Sequence, residues 1–209
     1  PLDNRFWMEA EEPWQFLATC EEIVALFRKK TRTHTCLYVA RDMTCSGVQI
    51  MGALIQDEKA GIATNLVEQA DGKMRDAYEA VATEARALLT NPVWLDEQKD
   101  KREKRRIAYN KENPKTPREF RDAVDIDLNR VDRKIAKLAT MVAGYGGTFL
   151  SRSEGVYEAC EEAKWELHPG DKCILANAII QGMDIAFPKI KELNDWWVAV
   201  INGAIYSIV

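Results

Sequence analysis

The 209 residues carry a formal net charge of −4 and 46% hydrophobic side chains. That is apolar material enough for a core, in one large domain or two lobes. The acidic balance argues against a protein that coats nucleic acid by bulk charge, though not against one with a local basic groove. Five cysteines, Cys20, Cys36, Cys45, Cys160 and Cys173, contain no Cys-x2-Cys pair, which argues for reduced thiols and against a zinc ribbon or disulfide framework.

In chain order, Phe6 to Lys30 reads as helix, with Trp14, Leu17, Ile23, Val24 and Phe27 at roughly helical spacing. Cys36 to Ala40 is a short β-prone run, followed by a turn of small residues through Gly47. Two helices follow, over about Val48–Asp57 and Gln69–Leu89, with a break near Gly61 and a stop at Thr90-Asn91-Pro92. Asp96 to Asp122 is charge-dense and interrupted by Pro114 and Pro117. Its basic centre, Lys101 to Arg106, is either a solvated face or a contact for a nucleic-acid backbone. A helix from about Asp125 to Tyr145 comes next, then one over Gly155–Lys164, a turn at His168-Pro169-Gly170, and a helical stretch Cys173–Val200 bent near Pro188. The apolar run Trp196–Val209 is too short to span a bilayer, so no membrane contact is expected. No internal repeat is present.

The Asp125–Tyr145 helix holds Arg133, Lys137 and Tyr145-Gly146 at the spacing Arg-x3-Lys-x7-Tyr-Gly. Steps of four residues drift only about 40° around a helix, so Arg133, Lys137, Met141 and Tyr145 share one slowly winding line. Ile135, Leu138, Val142, Tyr145 and Phe149 form a separate apolar stripe that would anchor the helix. Two fixed cations facing a cleft suit a polyanion such as a triphosphate. The same residues also describe an ordinary solvated face. Gly144, Gly146 and Gly147 around Tyr145 weaken a helix and make sense where something approaches the backbone.

Asp42 stands at the carboxyl end of the β-prone run, where its carboxylate can project into a cleft and meet a hard divalent cation. Alternatively it ends the strand or helps cap the next helix, with Thr44 or Ser46 as the better cap.

Together these segments resemble the single-subunit, phage-type DNA-directed RNA polymerases. Asp42-Met43-Thr44-Cys45-Ser46-Gly47-Val48-Gln49 is similar to the family's first palm motif, with Asp57-Glu58 and Asn65-Leu66 in the expected places. Arg133-x3-Lys137-x7-Tyr145-Gly146 is similar to its fingers motif. Pro1 to Trp7, Phe16 to Cys20, and Ala176 to Trp197 extend the likeness in order along nearly the whole chain. Met43 stands where glycine is usual, Ile50 where histidine is common, and Leu138 where a second basic residue is frequent. The family's His-Asp motif is absent, since the two histidines are followed by Thr35 and Pro169.

The resemblance implies a mainly α fold with a small β element, an α/β palm joined to helical fingers. Residues 1–70 would form part of the palm and 71–209 the fingers, without the thumb or third palm motif. The chain opens at Pro1 and stops inside an apolar run, so an internal piece of a longer polymerase is expected, completed by the same chain or by a second polypeptide. The implied reaction is templated nucleotidyl transfer with two Mg2+ ions, DNA template, nascent RNA and nucleoside triphosphates. Asp42, with the Met43 carbonyl, would bind metal. Arg133, Lys137, Tyr145 and Gly146 would hold the nucleotide, and Lys137 would also serve the leaving pyrophosphate. The cytoplasm of a phage-infected host is the expected compartment, with an organelle matrix as the alternative. Competing readings are a family A DNA polymerase, which typically has an aromatic where Met141 stands, and a non-catalytic helical interaction protein.

Overall fold

A computed structural model describes residues 5–35, 37, 43, 45–120 and 123–206. The chain divides into two compact units, Pro1–Asp42 and Met43–Val209. Among the described residues the fold is mainly α and contains no strand. The β-prone run Cys36–Ala40 lies outside them except for Leu37, and so does Asp42.

In the first unit, a 3₁₀ turn Arg5–Glu9 precedes α1 (Pro13–Ile23), which runs on into a π-helical turn Val24–Arg28. Pro13 occupies the first turn of α1, where its missing N–H goes unneeded, so the single helix expected from Phe6 begins seven residues later. Aromatic pairs tie the turn to the helix: Trp7 with Trp14 at 5.1 Å and Phe6 with Phe16 at 5.9 Å between centroids. Arg32 folds back to Glu22 at 2.5 Å. Trp14, Ile23 and Phe27 are exposed, so the apolar spacing read from them marks no buried face here.

The second unit contains α2 (Ser46–Leu54), α3 (Glu58–Ala63), α4 (Ala77–Thr90), α5 (Pro92–Glu112), α6 (Arg133–Ala143), α7 (Phe149–Glu162), α8 (Pro169–Ala186) and α9 (Pro188–Tyr206). Its centre is α8, with Ile174, Leu175, Ile179, Ile180 and Met183 all buried and a polar face of Asn177, Gln181 and Asp184. Helix α4 packs most extensively on α8, and α6 and α7 complete the layer around them. The buried surfaces of α4 and α6 are rich in alanine: Ala77, Ala82 and Ala85 on one, Ala136, Ala139 and Ala143 on the other. Small side chains let these helices approach closely. Beyond Pro188 the chain turns by 102° into α9, which exposes Trp196, Trp197 and Ile201. Among the described residues no single helix is long and apolar enough to cross a membrane.

Helix α5 joins α8 through a polar ladder. Trp94 Nε1 donates to Gln181 Oε1 at 2.8 Å, Asn177 Nδ2 to Gln98 Oε1 at 3.1 Å, and Arg102 pairs with Asp171 at 3.2 Å. Arg105 completes it on the Cys173 sulfur at 3.4 Å.

Several boundaries differ from the sequence expectation, and short polar side chains account for most. The expected helix from Gln69 starts at Ala77, because Asp76 caps the N–H groups of Tyr78 and Glu79. The break placed near Gly61 lies instead at Gln56, in the left-handed region with φ 53°, and Gly61 sits inside α3. The helix expected from Asp125 begins at Arg133. Asp127 caps a 3₁₀ turn Leu128–Arg130, and Asp132 then caps α6 through Lys134 N and Ile135 N. Aspartates that bond nearby N–H groups compete with continuous helix and restart it.

Candidate functional site: the meeting of α2 and α6

Helix α6 buries Ile135, Ala136, Ala139, Thr140 and Ala143. This face is displaced from the predicted stripe: Leu138 and Val142 are only half-buried, Tyr145 is exposed, and Phe149 already belongs to α7. Alanines fill the gap because neighbouring helices lie too near for larger groups. Arg133, Lys137 and Met141 are left on the exposed face, as their spacing predicts.

The two cations differ in state. Arg133 Nε lies 2.6 Å from Asp76 Oδ2, and its guanidinium sits 5.7 Å from the Tyr78 ring centroid. The bond to Asp76 raises the Arg133 pKa above its ordinary value. Lys137, one turn on, is exposed and has no carboxylate or hydrogen-bond partner among the described residues. Of the two, Lys137 is the charge at liberty to meet a ligand.

The helix closes through a Schellman arrangement. Gly147 N donates to the Val142 carbonyl and Gly146 N to the Ala143 carbonyl, each at 3.0 Å, with Gly146 at φ +75°. The Tyr-Gly pair ending the motif is thus the helix stop: Tyr145 occupies the last position before the chain reverses hand, and Gly146 supplies the left-handed residue. Tyr145 belongs to this closing turn and lies outside the helix proper.

There the second motif arrives. Tyr145 Oη and Ser46 Oγ are 2.6 Å apart. Beneath them the backbones of Gly47 and Gly144 touch: a Cβ at Gly47 would stand 2.7 Å from the Gly144 carbonyl carbon. Ser46 is not the cap of α2. It is the first helical residue, after Cys45 in the left-handed region at φ 51°, and its hydroxyl is engaged by Tyr145. Cys45 is buried; burial pushes its thiol pKa up, against a hydrogen bond from Tyr78 that pulls it down. Gln49 is also buried and donates to the Thr64 carbonyl at 2.9 Å, locking α2 to the end of α3. Asp57 caps α3, and the Asn65 side chain clamps the Arg75 backbone by two bonds of 2.7 and 2.9 Å.

Asp76 and Tyr78 escaped the sequence reading. Asp76 and Glu79 stand at capping-box spacing, which would have marked the start of α4. Nothing in the pattern announces the Arg133 pair.

Met43 is exposed, and Asp42 lies outside the described residues. Among the described residues no cluster of three His, Cys, Asp or Glu side chains could hold a metal ion. Asp76, the carboxylate beside Arg133, is already committed to the α4 cap and to that arginine.

A sequence profile of the DNA-dependent RNA polymerases matches residues 1–208. The chain belongs to that family. It is 28% identical to the chloroplastic/mitochondrial DNA-directed RNA polymerase 2B of Nicotiana tabacum over 94% of its own length and 18% of the relative's. Identity is 30% with the mitochondrial DNA-directed RNA polymerase of Neurospora crassa, over 94% of this chain and 13% of the relative. With the chloroplastic/mitochondrial DNA-directed RNA polymerase 2 of Arabidopsis thaliana it is 25%, over 94% and 18%. The chain thus spans less than a fifth of the length of these polymerases.

Proposed function

We propose that this chain is the palm–fingers segment of a DNA-directed RNA polymerase that adds ribonucleotides to a growing transcript, with residues 1–70 contributing to the palm and 71–209 to the fingers. The observation that carries this reading is the meeting of the two polymerase motifs at one joint, Ser46 on Tyr145 and Gly47 on Gly144, with Lys137 exposed one face away. Lys137 binds the triphosphate of the incoming nucleotide and stabilises charge on the departing pyrophosphate. Arg133 shares the phosphates when it leaves Asp76. The exposed ring of Tyr145 lies against the nascent base pair, held at its hydroxyl by Ser46, and the remaining hydrogen-bonding capacity of that hydroxyl serves the ribose edge.

Asp42, at the end of the β-prone run Cys36–Ala40, is the carboxylate this segment offers to Mg2+, with the Met43 carbonyl beside it. Other ligands come from elsewhere in the complete polymerase. Two such ions would activate the attacking hydroxyl and neutralise phosphate charge. DNA template, transcript and nucleoside triphosphates are the partners of the assembled enzyme. Plastid and mitochondrial enzymes among the relatives support an organellar setting, and the phage-type resemblance supports the cytoplasm of an infected host.

Lys137→Ala, placed in the complete polymerase, tests the assignment by single-nucleotide incorporation. Charge-assisted contacts are worth about 1.5–3 kcal/mol each, so turnover should fall by roughly ten- to a hundredfold. Ribo- and deoxynucleotides should be slowed alike. Unchanged turnover would make the exposed face of α6 an ordinary solvated one.

A further inference from the structure

Between α5, the segment 113–120 and the start of α8 lies a cleft of about 770 Å³, made from residues that the α2–α6 joint does not use. It is strongly cationic in an otherwise acidic chain. Arg102 and Arg106 are neutralised by Asp171 and Glu103. Lys101, Arg105 and Arg118 also line the cleft, and none forms an ion pair among the described residues. The one lining carboxylate without such a pair is Glu119.

The end of α8 does not supply free N–H groups, because Gly170 donates to His168 Nδ1 and Asp171 to the His168 carbonyl. The spare donor comes from Gln98, which is 2% exposed and lines the cleft. Its Oε1 accepts from Asn177, while its buried Nε2 has no hydrogen-bond partner among the described residues. A buried amide left this way is satisfied by an acceptor entering the cleft.

The wall opposite α8 is aromatic and firmly placed. Arg118 N donates to Asn110 Oδ1 at 2.7 Å, and the Arg118 carbonyl accepts from Asn110 Nδ2 and Arg106, holding the segment on α5. The Arg118 guanidinium lies 3.8 Å from the Tyr109 ring centroid. Phe120 is 63% exposed at the rim, with Arg106 5.8 Å from its centroid. Unpaired cations beside an exposed aromatic ring form the combination that takes a single-stranded nucleic acid, with phosphate on the charges and a base on the ring.

We propose that this cleft is a second nucleic-acid site: it grips one phosphate of a single strand with Lys101, Arg105 and Gln98 Nε2, and stacks the adjoining base on Phe120. The proposal does not rest on the α6 assignment.

The test is fluorescence anisotropy of a fluorescein-labelled oligothymidylate on the 209-residue chain across a salt series. Lys101, Arg105 and Phe120 are all exposed, and circular dichroism checks each variant's fold. The double variant Lys101→Ala/Arg105→Ala should weaken binding roughly tenfold or more. Its log–log salt slope should flatten by about 0.7 for each phosphate that the protein no longer neutralises. Phe120→Ala should weaken binding several-fold and leave the slope unchanged, because stacking releases no counterions. Lys137→Ala in parallel reports on the α6 site alone. Binding within twofold of the parent in both cleft variants would overturn the proposal. So would displacement of the strand by equimolar inorganic pyrophosphate together with normal binding by Phe120→Ala, which would make the cleft a site for isolated phosphates.

Discussion

Replacing Gly47 by alanine tests the joint on which the functional reading depends. A Cβ there would lie 2.7–2.8 Å from three backbone atoms of Gly144, deep inside ordinary contact distance and against atoms that cannot swing away. Forcing a methyl group into a packed contact costs about 1–3 kcal/mol. Against this, alanine improves an α-helical position over glycine by about 0.5–1 kcal/mol. The balance is a loss of up to about 2.5 kcal/mol, centred on about 1 kcal/mol. At about 2–4 °C per kcal/mol for a unit of this size, melting should fall by roughly 2–4 °C in a calorimetric scan, and by about 10 °C at most. Gly203 is the internal control. It lies in α9 with nothing within 4 Å of its notional Cβ, so Gly203→Ala shows the propensity gain alone and should melt at or slightly above the parent. If Gly47→Ala behaves like Gly203→Ala, the backbones of α2 and α6 do not touch and the joint is wrong.

Tyr145→Phe removes the hydroxyl that bonds Ser46 and, on the proposed reading, the ribose edge, and leaves the ring; with the ribose bond worth about 0.5–1.5 kcal/mol, the complete polymerase should stay active while ribonucleotide preference falls about tenfold or less. Competition between matched ribo- and deoxynucleoside triphosphates measures this, and an unchanged preference would reopen the DNA polymerase reading. Burial holds the Asp184 carboxyl above the usual carboxylate range, against the pull of Arg152. The folded chain therefore keeps that proton to higher pH than the unfolded one, and the destabilisation present at neutral pH disappears as pH falls through the raised pKa to below the unfolded value. Asp184→Asn should accordingly stabilise the protein near neutrality and have little effect in acid. Urea titrations at both pH values decide it, and a drop in stability at neutral pH would show that the Arg152 pairing outweighs burial. Cys45 and Cys160 are buried, with thiol pKa values raised chiefly by desolvation; alkylation under mildly basic, native conditions, followed by peptide mass spectrometry, should modify half-buried Cys20 and Cys173 before these two.

What could be read from the sequence follows the reach of each interaction. The α8 core was visible because the stretch is mostly apolar, broken only by Asn177, Gln181 and Asp184. The bend before α9 was visible because proline at 188 cannot continue the preceding helix. The exposed cations of α6 were visible because charge at helical spacing declares its own face. Its buried face was misplaced because alanine carries little hydrophobic signal, although close helix packing selects it. Helix starts moved where Asp76 and Asp132 cap, a local choice that an averaged apolar period does not register. Contacts between distant positions left no trace: Ser46 and Tyr145 are 99 residues apart. The α5–α8 ladder is built from polar pairs that hydrophobic spacing cannot show.

Asp76 divides its work between its two oxygens. Oδ1 receives the N–H groups that begin α4, and Oδ2 alone faces Arg133. Withdrawal of the guanidinium would therefore free one oxygen and leave the helix start intact. What it must overcome is a half-exposed ion pair, typically worth less than about 1 kcal/mol, and not the helix cap, whose loss would cost about 0.5–2 kcal/mol. Arg133 can thus change partners without α4 unravelling.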